Sequence, residues 1–522
     1  MNCSETLNNP PKGCRRRDSA VGICKGYNMI KYKGKILTAE QEEHINTIVK
    51  AGQDFAIQAP PGSGKTFLLL ALARKMNGYG LSISFNKLLA VEASKKFCRS
   101  VTCKTGHALA YGIVGYKYKD KLRRLTGKHL ADIENIGDWQ LYNNPSTKGY
   151  LILSTIRKYC YSSDKIINKK HLPKLPILND ENLEIMQEDL VAYSKQIFGK
   201  MAALSTDLPI THDVYLKIWA LTNPVIRKDY IFFDEYQDSN PVIADVIKRQ
   251  DCQKIFVGDQ FQQIYSWRGA VNALQDKSLD TLYITQSFRF GDAIAEIANK
   301  IITSYYPHDF KYIPFHGNPE ITSTVSYSPK DPDCIICRTN KSVIAETISM
   351  LGKDFNVFIL GGTQQLTYLI NSIQRLKIRG YSSHPDLFLF SSYTDLKEYA
   401  DSPMGGEIKP VLRLVETYGR EHLLNILEST AQNANEADIT ITTTHKAKGL
   451  EWSTVRLAND FKYPTDKGLP TTEETNILYV AASRALHHLD LSECQAAQPA
   501  MMQRARKMNE ERYLIDLALK ET

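Results

Sequence analysis

The chain has 522 residues, 43% apolar and 23% charged, with a net charge of +8. That length is too great for one core and predicts roughly three to four domains of ordinary globular make-up. No run reaches the ~18 apolar residues of a membrane span, and no apolar leader opens the chain, so a membrane-embedded or exported protein is not expected. The mild basic excess permits nucleic-acid binding without requiring it.

The excess is concentrated at the start. Residues 1–37 hold Lys12, Arg15, Arg16, Arg17, Lys25, Lys31, Lys33 and Lys35 against Glu5 and Asp18. A solvated tail and an arm that tracks phosphates both fit this segment. Ten cysteines follow no repeated spacing. "CIIC" (Cys334, Cys337) lies in an apolar strand-like run and reads as two buried thiols. Cys3, Cys14 and Cys24 have no fourth ligand at a familiar spacing, so no structural zinc is expected. The pattern suits a reducing compartment.

In chain order, "LTAEQEEHINTIVKAG" (37–52) predicts a helix with Thr38 as N-cap and Gln41 in capping-box position. "DFAIQAP" predicts a strand, "GKTFLLLALARKMNG" a helix closed by Gly78, "LSISF" a strand and "NKLLAVEASKKFCRS" a helix. This alternation predicts an α/β fold with a parallel sheet. Residues 111–205 lose the strands and read as a mostly helical insertion. "YIFFDE" (230–235) and "KIFVGD" (254–259) are apolar throughout, as buried parallel strands are. A second α/β stretch is expected from 281, with strands at "TLYIT", "PDCIICR" and "NVFILGG". Residues 364–436 read as a second, smaller helical insertion. Strands resume at "DITITTTH" and "TVRLAND", and 496–522 reads as a C-terminal helix or tail. The expected domains are a tail over 1–36, a lobe over 37–110 and 206–280 carrying the 111–205 insertion, and a lobe over 281–363 and 437–495 carrying the 364–436 insertion.

"APPGSGKT" (59–66) follows a strand and opens a helix, the setting of a phosphate loop. Pro61, Gly62, Ser63 and Gly64 would turn backbone N–H groups onto phosphate oxygens. Lys65 would reach the β- and γ-phosphates, and Thr66 would hold Mg²⁺. Ala59 stands where the general pattern begins with glycine. "DEYQD" (234–238) ends a second strand. Asp234 would hold Mg²⁺ and Glu235 would act as general base towards water. Taken alone, the pair reads more readily as a cap for the following helix. The phosphate loop upstream favours the catalytic reading and predicts ATP and Mg²⁺.

"ITQSFRF" (284–290) places Arg289 just after a strand of the second α/β stretch. "ILYVAASRA" (477–485) places Arg484 in a helix. Both suit arginine fingers that stabilise transition-state charge. "VGDQFQQIYSWRGA" (257–270) combines an amide suited to phosphate, Gln262, with flat rings suited to bases, Tyr265 and Trp267. Arg268 is expected to pair with a carboxylate and brace the turn. "YKYKDKLRRLTGK" (116–128) interleaves tyrosine with basic residues and fits either a DNA-tracking face or a solvated helix.

Taken in order from Gln41 to Arg484, these motifs resemble those of superfamily 1A helicases of the UvrD/Rep type. Within that group the chain is most similar to the F-box DNA helicase family and its viral and prokaryotic relatives. "PITHDVYLKIWAL" (209–221) and Asn476 carry the likeness to that branch. The resemblance implies two RecA-like P-loop lobes that hydrolyse ATP and step along single-stranded DNA, 3′→5′. It implies that Gln41 reads adenine, that Phe288 lies on the adenine and that Glu451 lies on the ribose. It implies DNA contacts from Phe85, Asn86, Thr105, His107 and His445, beside Tyr265 and Trp267. Gln262 would contact the γ-phosphate.

The chain departs from the family in three places. No F-box is expected ahead of the motor, so recruitment to a ubiquitin ligase is not implied. The 364–436 insertion is small beside the large 2B domain of UvrD-type enzymes, and Ser483 replaces the usual threonine. The expected activity is therefore an ATP-dependent DNA helicase or translocase acting in repair, recombination or replication. It would be an intracellular monomer on single strands and single–double strand junctions. A motor subunit of a larger assembly, such as a nuclease-linked defence complex active only with its protein partner, is the competing expectation. An RNA motor and a non-catalytic scaffold are weaker ones.

Overall fold

The protein is described from a computed structural model. It describes residues 31–499 except 33–34, 124, 135–144, 174–179, 266–273, 275–277, 307–311, 327–330, 383, 385–386, 388–389, 391, 402–407 and 464–468. The chain divides into two units, the first ending at Ile284.

A short antiparallel ladder, β1 (Lys31–Tyr32) with β2 (Lys35–Ile36), precedes the first unit's helix Ala39–Ala51. Thr38 caps that helix. Its hydroxyl accepts the Gln41 N–H, and the Gln41 side chain accepts the Thr38 N–H, which satisfies two end donors at once. The helix closes at Gly52 with φ +68.

The first sheet contains β3 (Phe55–Gln58), β4 (Gly80–Ile83), β5 (Val101–Lys104), β6 (Tyr230–Phe233), β7 (Gln253–Gly258) and β8 (Asp280–Tyr283). Its order is β5-β4-β6-β7-β3-β8, with every neighbour parallel. Strands β3, β4 and β6 are buried along their length, which is why they read as unbroken apolar runs rather than alternating ones.

One expectation changes here. The strand at "TLYIT" belongs to this first sheet, paired with β3, and not to the second α/β stretch. His44 Nε2 lies 2.7 Å from the Tyr283 carbonyl and ties the edge strand to the first helix. Gly78, expected to close the helix after the phosphate loop, lies beyond it. That helix spans Lys65–Lys75 with Met76 as C-cap.

Between β5 and β6 the chain forms helices Gly106–Ile113, Gly127–Glu134, Pro145–Tyr161, Asp180–Ala202 and His212–Leu221. They bury a core of their own around Leu130, Leu151, Ile156, Leu190 and Trp219, which also takes in Val242 and Val246.

The second unit's sheet contains β9 (Thr324–Ser326), β10 (Cys334–Cys337), β11 (Val357–Ile359), β12 (Ile439–Thr443), β13 (Trp452–Leu457) and β14 (Ala485–Asp490). Its order is β11-β12-β10-β13-β14-β9, again all parallel. Cys334 and Cys337 are fully buried free thiols on its central strand. Helices Gln364–Arg379, Tyr393–Asp401, Lys409–Tyr418 and Arg420–Glu428 occupy the 364–436 stretch. Unlike the helices of 111–205, they share one core with the sheet. Leu366, Ile370, Leu396 and Leu423 pack in the same cluster as Ile335, Ile439 and Ile441. Two parallel sheets flanked by helices make this an α/β fold of two RecA-like lobes. Among the described residues, no helix is long and apolar enough to cross a membrane.

Candidate functional site

The phosphate loop leaves the buried strand β3 and enters the helix Lys65–Lys75. Gly62 (φ +72) and Gly64 (φ +78) hold left-handed conformations that L side chains rarely adopt. At the mouth of the loop the Ala59 N–H donates to the Gly258 carbonyl at 2.8 Å, which fastens it to the end of β7. Lys65 Nζ lies under the loop, donating to the carbonyls of Ala59 (3.2 Å) and Pro60 (3.5 Å). The tip, Pro61–Ser63, groups with the second unit. There the Ser287 hydroxyl donates to Pro61 O at 2.7 Å and the Phe288 N–H to Gly62 O at 2.9 Å.

At the end of β6 the Asp234 N–H donates to the Ile83 carbonyl at 3.1 Å. Glu235 then takes a left-handed conformation (φ 51, ψ 45) and the chain turns through Tyr236–Asp238. Asp234, Glu235 and Thr66 line one cavity with Ser82, Ser84 and Phe85. Burial, and next the Glu235 carboxylate, raise Asp234 well above the usual carboxylate range. The nearby Lys65 ammonium and the Glu235 N–H act in the opposite direction. Two carboxylates beside a threonine hydroxyl form the oxygen-donor set that a hard divalent cation prefers, and a cation there would relieve the charge crowding.

Behind this pair runs a chain of buried amides. Gln237 Nε2 donates to Glu235 Oε2 at 2.5 Å, and Gln237 Oε1 accepts the Asp259 N–H at 3.0 Å. The Asp259 carboxylate accepts Gln262 Nε2 on Oδ2 (2.8 Å) and Gln58 Nε2 on Oδ1 (2.9 Å). Gln58 Oε1 in turn accepts the Gln260 N–H at 3.1 Å. Gln237 and Asp259 are fully buried, and Gln262 and Gln58 nearly so. Sequence reasoning placed Gln262 but missed Gln58, Gln237 and Asp259. Gln237 lies inside the "DEYQD" motif and Asp259 ends the apolar run "KIFVGD", but only the fold brings the three together.

On the expected DNA side, Phe85 and Tyr265 stack. Asn86 and Thr105 are helix N-caps: Asn86 Oδ1 accepts the Leu89 N–H and Thr105 Oγ1 the Ala108 N–H. His107 Nε2 lies 3.2 Å from Asp213 Oδ1 on the helix His212–Leu221, so the "PITHDVYLKIWAL" segment braces the Thr105–His107 corner. Gln41 is fully buried, with its amide oxygen engaged in the capping box. Trp267 and Arg268 lie outside the described residues.

In the second unit Arg289 Nε pairs with Glu451 Oε2 at 2.8 Å, and its Nη1 donates to the Ser483 carbonyl at 3.1 Å. Arg484 is almost wholly buried. It donates to Val480 O (2.9 Å) through Nε, to Leu450 O (3.4 Å) through Nη1 and to the Ser483 hydroxyl (2.9 Å) through Nη2. Two expectations are corrected. Arg484 stands past its helix, which ends at Ala482 with Ser483 as C-cap, and opens the turn into β14. Arg289 follows the edge strand of the first sheet rather than a strand of the second. Phe288, Arg289, Glu451 and Arg484 all lie in this unit, as does His445 on the short helix Thr444–Ala447.

A phosphate loop and an acidic pair at the carboxyl ends of parallel strands, with a second α/β lobe following, define a two-lobe P-loop protein. Comparison with known proteins narrows that class. Residues 37–280 match the UvrD/REP helicase N-terminal domain, and residues 389–496 match the UvrD-like helicase C-terminal domain. The chain belongs to the UvrD-like helicases. It is 31% identical over 506 residues to F-box DNA helicase 1 of Gallus gallus, covering 88% of this chain and 49% of that protein. It is 28% identical over 533 residues to F-box DNA helicase protein 1 of Schizosaccharomyces pombe, covering 92% and 60%. A shorter stretch of 91 residues is 36% identical to the ATP-dependent DNA helicase Rep of Salmonella typhimurium, covering 16% and 13%. The chain thus spans about half to three-fifths of the length of the two F-box relatives.

Proposed function

We propose that this chain hydrolyses ATP and uses the energy to move along single-stranded DNA, opening duplex or displacing bound proteins at single–double strand junctions. The observation that carries the reading is the cavity shared by Thr66, Asp234 and Glu235, with the Lys65 ammonium close enough to act on Asp234. Family membership adds the DNA side, and the 3′→5′ direction comes from the family alone.

In this reading Lys65 leaves the Ala59 and Pro60 carbonyls for the β- and γ-phosphates, while Gly62 and Gly64 keep the loop N–H groups turned inwards. Thr66 and Asp234 would hold Mg²⁺, which when bound supplies neutralising charge to the phosphates. Glu235 takes a proton from the attacking water, and Gln262 contacts the γ-phosphate. Arg289 and Arg484 stabilise the charge that develops on the transferred group. Gln41 and Phe288 take the adenine and Glu451 the ribose. Phe85, Asn86, Thr105, His107, Tyr265 and His445 take the strand, and Trp267 and Arg268 are assigned to it from the sequence alone. The expected domain assignment keeps 111–205 and 364–436 as insertions of the first and second lobes.

The test is ATP turnover with and without single-stranded DNA, using Lys65→Ala as the blank. Strong stimulation that disappears in the variant supports the motor. Turnover indifferent to DNA rejects it in favour of an assembly-dependent subunit.

A further inference from the structure

We propose that Gln237 is a positioning residue for hydrolysis. Its buried amide holds the Glu235 carboxylate and ties it through Asp259 to Gln262 and to the strand that carries the phosphate loop. The inference rests on the ATP-hydrolysing reading above and concerns a residue to which that reading gives no part.

The amide can face only one way. A backbone N–H is a donor and nothing else, so the Gln237 atom meeting the Asp259 N–H at 3.0 Å is its oxygen. Its NH₂ therefore faces Glu235 Oε2, and Glu235 receives a hydrogen bond there. That bond fixes the direction in which the carboxylate faces. The contact is charge-assisted and lies beside a fully buried side chain, where such bonds are strong and directional.

The backbone is shaped around this amide. A Cβ at Gly258 would lie 2.1 Å from Gln237 Oε1 and 3.2 Å from the Tyr236 N. Only a residue without a side chain lets β7 pass this close. The same Gly258 carbonyl holds the Ala59 N–H at the mouth of the phosphate loop. Asp259, the next residue, divides its two oxygens between Gln262 and Gln58, the last residue of β3. Three segments far apart in sequence are thus set by one connected set of hydrogen bonds. A displacement of Gln262 would be felt at Glu235 through the Asp259 carboxylate, its backbone N–H and the Gln237 amide.

The experiment measures kcat for ATP with saturating single-stranded DNA in the full chain and in Gln237→Leu, Gln237→Glu, Glu235→Gln and the Glu235→Gln/Gln237→Leu double variant. Affinity for Mg²⁺ and a fluorescent ADP is measured alongside. Leucine removes both amide contacts. Glutamate keeps an acceptor for the Asp259 N–H but opposes Glu235 with a second oxygen. Each single change at Gln237 is expected to lower kcat on the order of 10- to 100-fold, the scale of a misplaced catalytic group. ADP affinity should stay within about twofold of the parent, because the ADP phosphates are held by other residues. The double variant should be no slower than Glu235→Gln alone, since Gln237 acts through Glu235.

Full kcat in Gln237→Leu, or losses that multiply in the double variant, overturns the proposal. Should Gln237→Leu not fold, Gln237→Glu decides alone, and full activity there overturns it. A parent chain that does not hydrolyse ATP overturns the motor reading as well. An active parent with an equally active Gln237→Glu overturns this inference only.

Discussion

Phe85 and Tyr265 stack nearly parallel, with ring centroids 5.8 Å apart and 14° between their planes. Phe85 is substantially exposed and stands at the end of β4. Tyr265 lies three residues past the short turn Gln260–Gln262. A base that stacks on either ring meets a platform already held by the other. Tyr265→Ala should therefore weaken single-stranded DNA binding by about 1–3 kcal/mol, the usual worth of one base stack, and leave ADP affinity unchanged. Fluorescence anisotropy with an oligothymidine probe reads this directly. Unaltered binding in Tyr265→Ala and Phe85→Ala would remove both rings from the DNA path.

Gly258→Ala should lower ATP turnover and also destabilise the fold. The added methyl meets Gln237 Oε1 and, at 3.0 Å, Leu274 Cδ1. Overpacking of this kind costs about 1–3 kcal/mol, read from the urea midpoint. A variant as stable and as active as the parent would mean that the amide has room to move.

Arg289 is held by Glu451 and by the Ser483 carbonyl, which fixes the direction of its guanidinium. Arg289→Lys keeps the charge and loses the fork. In the proposed reaction Arg289 is an arginine finger, worth ~10³–10⁵ in rate, so kcat should fall by at least about 100-fold with little change in ADP affinity. Wild-type turnover in the lysine variant would show that charge alone suffices there.

Lys217 is buried, donates to the carbonyls of Ser162 and Asp164, and lies over the Tyr159 ring. Burial lowers it to about 8. Between that value and the ordinary lysine value the unfolded chain binds more protons at this residue than the folded one. Stability from this site therefore rises with pH across that window. Thermal melts of Lys217→Met and the parent at about pH 7.5 and about pH 9.5 should show the parent gaining on the variant at the higher pH. A pH-independent difference would place the lysine's charge outside the stability balance.

Much of this arrangement is legible in the sequence because its signals are local. Strands β3, β4, β6, β7 and β10 are mostly apolar and buried on both faces, and the Thr38–Gln41 box needs only four consecutive residues. The two-residue strands β1 and β2, placed in the expected tail, and strands β5, β9 and β14 went unread. β5 and β9 are edge strands of three or four residues with partly exposed side chains, and β14 carries two histidines. His488 is nonetheless buried between the Thr324 and Ser326 hydroxyls, a pairing that periodicity cannot show. The sheet that receives β8 is decided by its partner β3, more than two hundred residues earlier in the chain. Motifs showed which chemistry to expect. The Gln58–Asp259–Gln237 contacts depend on strand order and were invisible without it.

Glu235 keeps its carboxylate on a backbone that a glycine would occupy more comfortably. Holding an L residue in the left-handed region costs roughly 1–2 kcal/mol. Natural drift towards stability would favour glycine or asparagine at this position, and neither carries the acid. If Glu235 is the base of the proposed reaction, it is a point where selection for a sturdier fold and selection for turnover oppose each other. Stabilising libraries screened on folding alone should lose Glu235 early, and screens that also demand hydrolysis should keep it.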